Sequence, residues 1–165
     1  ADRYTPGAVE HLAARHTAAL IRPAEPADLD ELAVVAATTF PLACPPGARP
    51  DDVEAFIAAN LSVQALTGYL HDPARTLLVA TDRSRILGYA MLIDGVPADP
   101  DVQRAVPLRP AVEVSKMYTL PDVHGAGVSA ALMAESLRRS SARRRLGLDG
   151  KTPLLDTANR CAAAD

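Results

Sequence analysis

Two glycines, Gly125 and Gly127, stand where a strand-like run meets an alanine-rich helical one, in Val123-His124-Gly125-Ala126-Gly127-Val128-Ser129-Ala130. Glycine enters positive φ freely and lets a ligand come close to the backbone. A helix that starts immediately afterwards offers unpaired amides and the positive end of its dipole, which suits a pyrophosphate. The same glycines would also serve a loop that only turns the chain. The segment has neither the full Gly-x-Gly-x-x-Gly spacing of a dinucleotide fingerprint nor the Gly-Lys-Ser/Thr ending of a P-loop.

Just upstream runs Val112-Glu113-Val114-Ser115-Lys116-Met117-Tyr118-Thr119-Leu120. Read as a strand, its alternation puts Glu113 on one face with Ser115 and Met117. Glu113 is the best candidate for a general base, set against the plainer reading of a solvent-facing strand residue. Tyr118 is either a proton donor or a core tyrosine with a tethered hydroxyl. His124 invites a base or a metal reading. The chain has four histidines and no ligand spacing around this one, so a metal is rejected and a ring or amide facing phosphate is preferred. Arg138, Arg139, Arg143, Arg144 and Arg145 could meet a ligand phosphate, but cations at a helix C-terminus also complement its dipole. Asp51, Asp52 and Glu54 could attract a polycation; as first-turn acids they have a structural reason as well.

Positioning these groups falls to an ordered run of elements. Residues 18–22 are a short strand candidate, and residues 26–39 a helix with Leu29, Leu32, Ala36 and Phe40 at helical spacing. A Pro-Pro-Gly loop covers residues 41–50. A second helix follows with Val53, Phe56, Ile57 and Leu61 as its apolar face, then a third, capped by Ser62, carrying Val63, Leu66 and Leu70 and stopping at Asp72-Pro73. Residues 76–81 and 86–93 read as an antiparallel hairpin. A long Pro-containing connection covers residues 95–110, a strand residues 111–120, and the longest helix residues 127–143. Residues 1–16 form a polar lead-in with a short helix near residues 9–15, and residues 17–165 one α/β domain.

This order resembles the GNAT superfamily of N-acetyltransferases. Its cofactor signature, Gln/Arg-x-x-Gly-x-Gly/Ala, is similar to His124-Gly125-Ala126-Gly127-Val128-Ser129; Gly127 matches, His124 replaces Gln or Arg, and Ser129 replaces the second small residue. Lys116-Met117-Tyr118-Thr119-Leu120-Pro121 looks like the family's strand end, and Thr38-Thr39-Phe40, Asn60-Leu61-Ser62 and Gly88-Tyr89-Ala90 look like the bacterial spermidine/spermine subgroup. The resemblance implies a mixed, mostly antiparallel sheet flanked by helices and acetyl-CoA as cosubstrate. It implies that the backbone of Met117, Tyr118 and Thr119 pairs with the pantetheine arm. One amide near Tyr118 or Thr119 would polarise the thioester carbonyl. Amides of His124, Gly125, Ala126, Gly127, Val128, Ser129 and Ala130 would hold the pyrophosphate. A neutral small amine, such as a polyamine, would attack the thioester directly through a tetrahedral intermediate, with a base, an oxyanion donor and an acid in attendance.

After the cofactor helix the family continues with a fifth strand, a helix bearing a Tyr that protonates the thiolate, and two more strands. Here residues 152–156 offer one short strand, residues 157–164 a helical turn or two, and no aromatic follows Tyr118. The alternative reading is therefore a catalytically impaired CoA-binding or interaction module. A fourth strand left uncovered would expose an edge that pairs with a second copy, so a homodimer is expected, with Leu154 and Leu155 near the interface.

Composition agrees with a folded globular chain: 165 residues, 48% hydrophobic, 22% charged, net charge −3. Mild acidity gives no reason to expect nucleic acid or an anionic membrane. Cys44 and Cys161, far apart in sequence, read as free thiols of a cytoplasmic protein.

Overall fold

A computed structural model describes residues 19–107, 110–144 and 154–156, with 143–144 and 154–156 as backbone only. The helices expected near residues 9–15 and 157–164 lie outside these described residues.

Five strands form one sheet in the order β1-β2-β3-β4-β5. They are β1 (Leu20–Pro23), β2 (Arg75–Thr81), β3 (Ile86–Asp94), β4 (Val112–Thr119) and β5 (Leu154–Asp156). The first four pair antiparallel, and β5 runs parallel to β4. β2 reads Leu77-Leu78-Val79-Ala80 without alternation because both of its faces are covered, and all four residues are buried.

Three helices cover one face: α1 (Leu29–Thr39), α2 (Pro50–Asn60) and α3 (Val63–His71). Leu32, Phe40, Leu61 and Leu66 pack there against Val79, Tyr89, Met91 and Tyr118. α1 is entered through a 3-10 turn at Pro26–Asp28, where Arg22 donates to both Asp28 oxygens at 2.7 and 2.8 Å. That hydrogen-bonded guanidinium holds the Asp28 carboxyl below its ordinary pKa. Ser62 caps α3 as expected, its Oγ accepting from the Ala65 amide at 3.3 Å. Val63, assigned to the apolar face of α3, is instead exposed.

Two parts of the connections are more ordered than their composition suggests. Phe40–Ala43 is a 3-10 turn inside what reads as a loop. The long connection holds a short helix, α4 (Pro100–Ala105), whose N-cap Asp99 accepts from the Asp101 and Val102 amides at 2.8 and 3.4 Å. Six residues are too few to show a helical period, although Asp-Pro-Asp is a legible start signal.

The opposite face is covered by α5 (Val128–Arg144), whose Val128 and Leu132 pack on Leu78, Ala90, Leu92 and Val114. Among the described residues no helix is long and apolar enough to cross a membrane. Cys44 is disulfide-bonded, not the free thiol expected, because separation in sequence does not measure separation in space; Cys161 lies outside the described residues. With that thiol goes the cysteine-based reason for a reducing compartment.

Candidate active site

β4 runs into a 3-10 turn at Pro121–Val123, then through the two glycines into α5. Gly125 and Gly127 have φ of 82° and 83°, the left-handed region that favours glycine. Nothing lies within 4 Å of a Cβ built at either position, so the loop borders open space. The first bond into α5 runs from the Ala131 amide to the Gly127 carbonyl, 3.0 Å. The amides of Val128, Ser129 and Ala130 therefore precede the intrahelical ladder, and the first turn contains no acidic residue to neutralise the dipole.

Side-chain contacts add to the backbone bonds that hold the loop. His124 Nε2 lies 3.2 Å from the Thr119 carbonyl, so the ring turns back onto the end of β4. Arg85, at the β2–β3 turn, donates to Asp122 at 2.5 Å and holds that carboxyl below its ordinary pKa. The pair is exposed, so it sets geometry more than stability. Thr119 Oγ1 and Ser129 Oγ lie 3.4 Å apart across the loop. Arg138 and Arg139 both bind Glu135, in bonds of 2.7 Å, and the Arg138 bond draws the Glu135 carboxyl down to about 2. These two arginines are thus engaged on α5 itself; the side chains of Arg143, Arg144 and Arg145 lie outside the described residues.

β4 is not a regular strand. Met91 pairs with Lys116 while the next residue, Leu92, pairs with Val114, which leaves Ser115 as the extra residue of a β-bulge. The bulge resets alternation. Val112, Val114 and Met117 pack toward α5, while Tyr118 packs toward α1–α3. Glu113 pairs with Ile93, and Lys116 with Met91, both of the second face. The expectation that Glu113 shares a face with Met117 is therefore corrected: it shares one with Lys116 and Tyr118. Three cross-strand rows result on the α1–α3 side, Arg75–Ile93–Glu113, Leu77–Met91–Lys116 and Val79–Tyr89–Tyr118.

Tyr118 is nearly buried, its ring edge-on to Phe40 (centroids 6.5 Å) and tilted against Tyr89 (5.8 Å). Tyr89 is fully buried and its hydroxyl has no hydrogen-bond partner among the described residues; burial pushes its pKa well up, so it stays neutral. Lys116 carries no role in the sequence reading. Its one signal is compositional: Lys116 and Lys151 are the only lysines in an arginine-rich chain.

β5 pairs with Val112, Glu113 and Val114 only. The uncovered fourth strand expected from sequence is thus covered along its first three residues, and pairing with β5 stops where the bulge begins. Residues 115–119 have no strand on that side among the described residues. Gly88 fixes the far end of this stretch: a Cβ there would meet the Tyr118 carbonyl oxygen at 2.6 Å and Thr119 Cγ2 at 2.9 Å. Gly88→Val is expected to cost about 1–3 kcal/mol of stability and to weaken any ligand paired along residues 117–119. Urea unfolding read beside ligand titration checks this; an unchanged midpoint would mean that β4 tolerates the shift.

Comparison with known proteins agrees with this architecture. The acetyltransferase (GNAT) domain family matches residues 44–147. Uncharacterized N-acetyltransferases of Mycobacterium tuberculosis and Mycobacterium bovis are each 49% identical over 110 residues, 67% of this chain and 63% of the relative. The match thus spans less than two thirds of those relatives' length. Among solved structures, a GCN5-related N-acetyltransferase from Ralstonia eutropha superposes with a TM-score of 0.63 at 18% identity, covering 86% of this chain and 84% of its own. The PaiA N-acetyltransferase of Thermoplasma acidophilum, crystallised with coenzyme A, gives 0.62 at 17% identity over 76% and 74%. At such identities the structural likeness speaks for the fold alone, but the family match covers most of the sequence, and the chain belongs to the acetyltransferase (GNAT) domain family.

Proposed function

We propose that this chain is an acetyl-CoA-dependent N-acetyltransferase acting on a small primary amine. The observation that carries the reading is the glycine-hinged start of α5, where two positive-φ glycines border open space and the amides of Val128, Ser129 and Ala130 precede the helical ladder. Of the amides from His124 to Ala130, those of His124 and Ala126 are taken by the Pro121 and Val123 carbonyls at 3.2 and 3.1 Å, so Gly125, Gly127, Val128, Ser129 and Ala130 would hold the pyrophosphate without a charged side chain. The backbone of Met117, Tyr118 and Thr119 would pair with the pantetheine arm as an added strand, beyond the three residues of β4 that pair with β5. When bound, acetyl-CoA supplies the activated acetyl group.

The chain's own residues then orient the acceptor and move its proton. An amide at Tyr118 or Thr119 would donate to the thioester carbonyl oxygen. Glu113 and Tyr118 pair with Ile93 and Tyr89, four residues apart on β3, about 13 Å along the strand, so Glu113 would take the amine proton through intervening water. Tyr118, fixed by Phe40 and Tyr89, is the candidate acid on the same face. The pairing of β5 with Val112, Glu113 and Val114 covers part of the edge on which the expected homodimer was based.

Thiol release from acetyl-CoA with a panel of small amines tests the reading. Turnover is expected with primary amines, polyamines included because the subgroup resemblance implies them, and not with peptide N-termini. Acetylation of peptide N-termini without small-amine turnover would overturn it. Tight coenzyme A binding with no thiol release for any acceptor would favour the impaired binding module.

A further inference from the structure

Lys116 leaves β4 at the bulge, on the α1–α3 face and in the row next to Tyr118. It is half-buried, and its ammonium lies 5.5 Å from the centre of the Phe56 ring, which is itself stacked on Phe40 at 4.4 Å. It makes no hydrogen bond or ion pair among the described residues. Arg75, in the row beyond Glu113, is engaged: its Nε donates to Asp72 at 2.9 Å and its guanidinium covers the Tyr69 ring at 4.6 Å. Burial, then Arg75, hold the Lys116 ammonium below the ordinary lysine range, with Glu113 in the adjacent row pulling the other way. A half-buried cation without a carboxylate partner is costly, and an anionic ligand would relieve that cost.

We propose that the acceptor amine carries a carboxylate and that Lys116 binds it, on the α1–α3 face of β4 beside Phe56. The proposal rests on the N-acetyltransferase reading and narrows its acceptor. Lys116 and Tyr118 lie two residues apart on one face, about 7 Å along a strand. A carboxylate held by the lysine and an amine presented near residues 118–119 are then separated by the span of a small amino acid. A polyamine in the same place would bring like charge against Lys116.

γ-Aminobutyrate, butylamine and putrescine present a carboxylate, a methyl and an ammonium on comparable short chains. For this chain we expect kcat/KM to fall in that order, with γ-aminobutyrate preferred to butylamine by about tenfold, carried in KM. Lys116→Met should bring the ratio close to one, Lys116→Arg should largely keep it, and Lys116→Glu should turn the preference toward putrescine. Thermal unfolding confirms that each variant is folded. Putrescine preferred by wild type, or a ratio unmoved in Lys116→Met, overturns the proposal. If no amine supports thiol release, calorimetry on the coenzyme A-loaded protein with γ-acetamidobutyrate and N-acetylputrescine decides. Carboxylate-dependent binding lost in Lys116→Met upholds the site while the catalytic reading fails; equal or absent binding of the two overturns it.

Discussion

Gly127→Glu is expected to abolish coenzyme A binding, with a loss of about 100-fold or more in affinity, equivalent to about 2.8 kcal/mol. Two effects add. Gly127 has φ of 83°, so any side chain adds about 1–2 kcal/mol of backbone cost. A carboxylate would also sit at the positive end of α5, where the pyrophosphate is to lie, repelling the phosphates and occupying the amides. Gly127→Ala separates the two. No atom lies within 4 Å of the added methyl, so it should lower stability while costing affinity only modestly. Calorimetric titration, read beside thermal unfolding, checks the pair. If wild type binds no coenzyme A even at millimolar concentration, the glycine loop only turns the chain and the likeness ends at the fold. Equal affinity in wild type and Gly127→Glu would move the phosphate site elsewhere.

The second large effect is expected at Glu113. Glu113→Gln keeps the side chain's size and its place opposite Ile93 but cannot accept a proton at neutral pH. If Glu113 draws the proton from the acceptor, kcat should fall by about 10²–10⁴-fold with coenzyme A affinity unchanged, since the cofactor loop lies at the other end of β4. Single-turnover thiol release separates the chemical step from product release. Wild-type turnover in the variant would return Glu113 to an ordinary strand residue and leave the base to water or to another group on the same face.

Much of the scaffold is legible in local chemistry. Gly125 and Gly127 announce a backbone that other residues avoid, and both do adopt positive φ. The Ser62 cap and the Asp72-Pro73 stop of α3 work through neighbours a few residues away, and both stand as read. The unbroken apolar run of β2 follows from burial on two faces, a pattern that survives without knowing what covers them.

What was illegible depends on pairing between distant segments. The bulge at Ser115 exists only in the register of β4 against β3, and it changes which residues share the face of Glu113. Strict alternation assigns Met117 to that face; the extra residue assigns Lys116 and Tyr118 instead. Gly88 is an unremarkable strand glycine until the Tyr118 carbonyl is brought against it. The disulfide at Cys44 likewise depends on what the fold brings near, which sequence separation does not measure. The types of the longer elements and the position of the glycine loop follow from interactions a few residues long, so the sequence by itself determines them. Which side chains share the face of Glu113, and with what charge, follows from strand register and helix packing, and only the tertiary structure decides that.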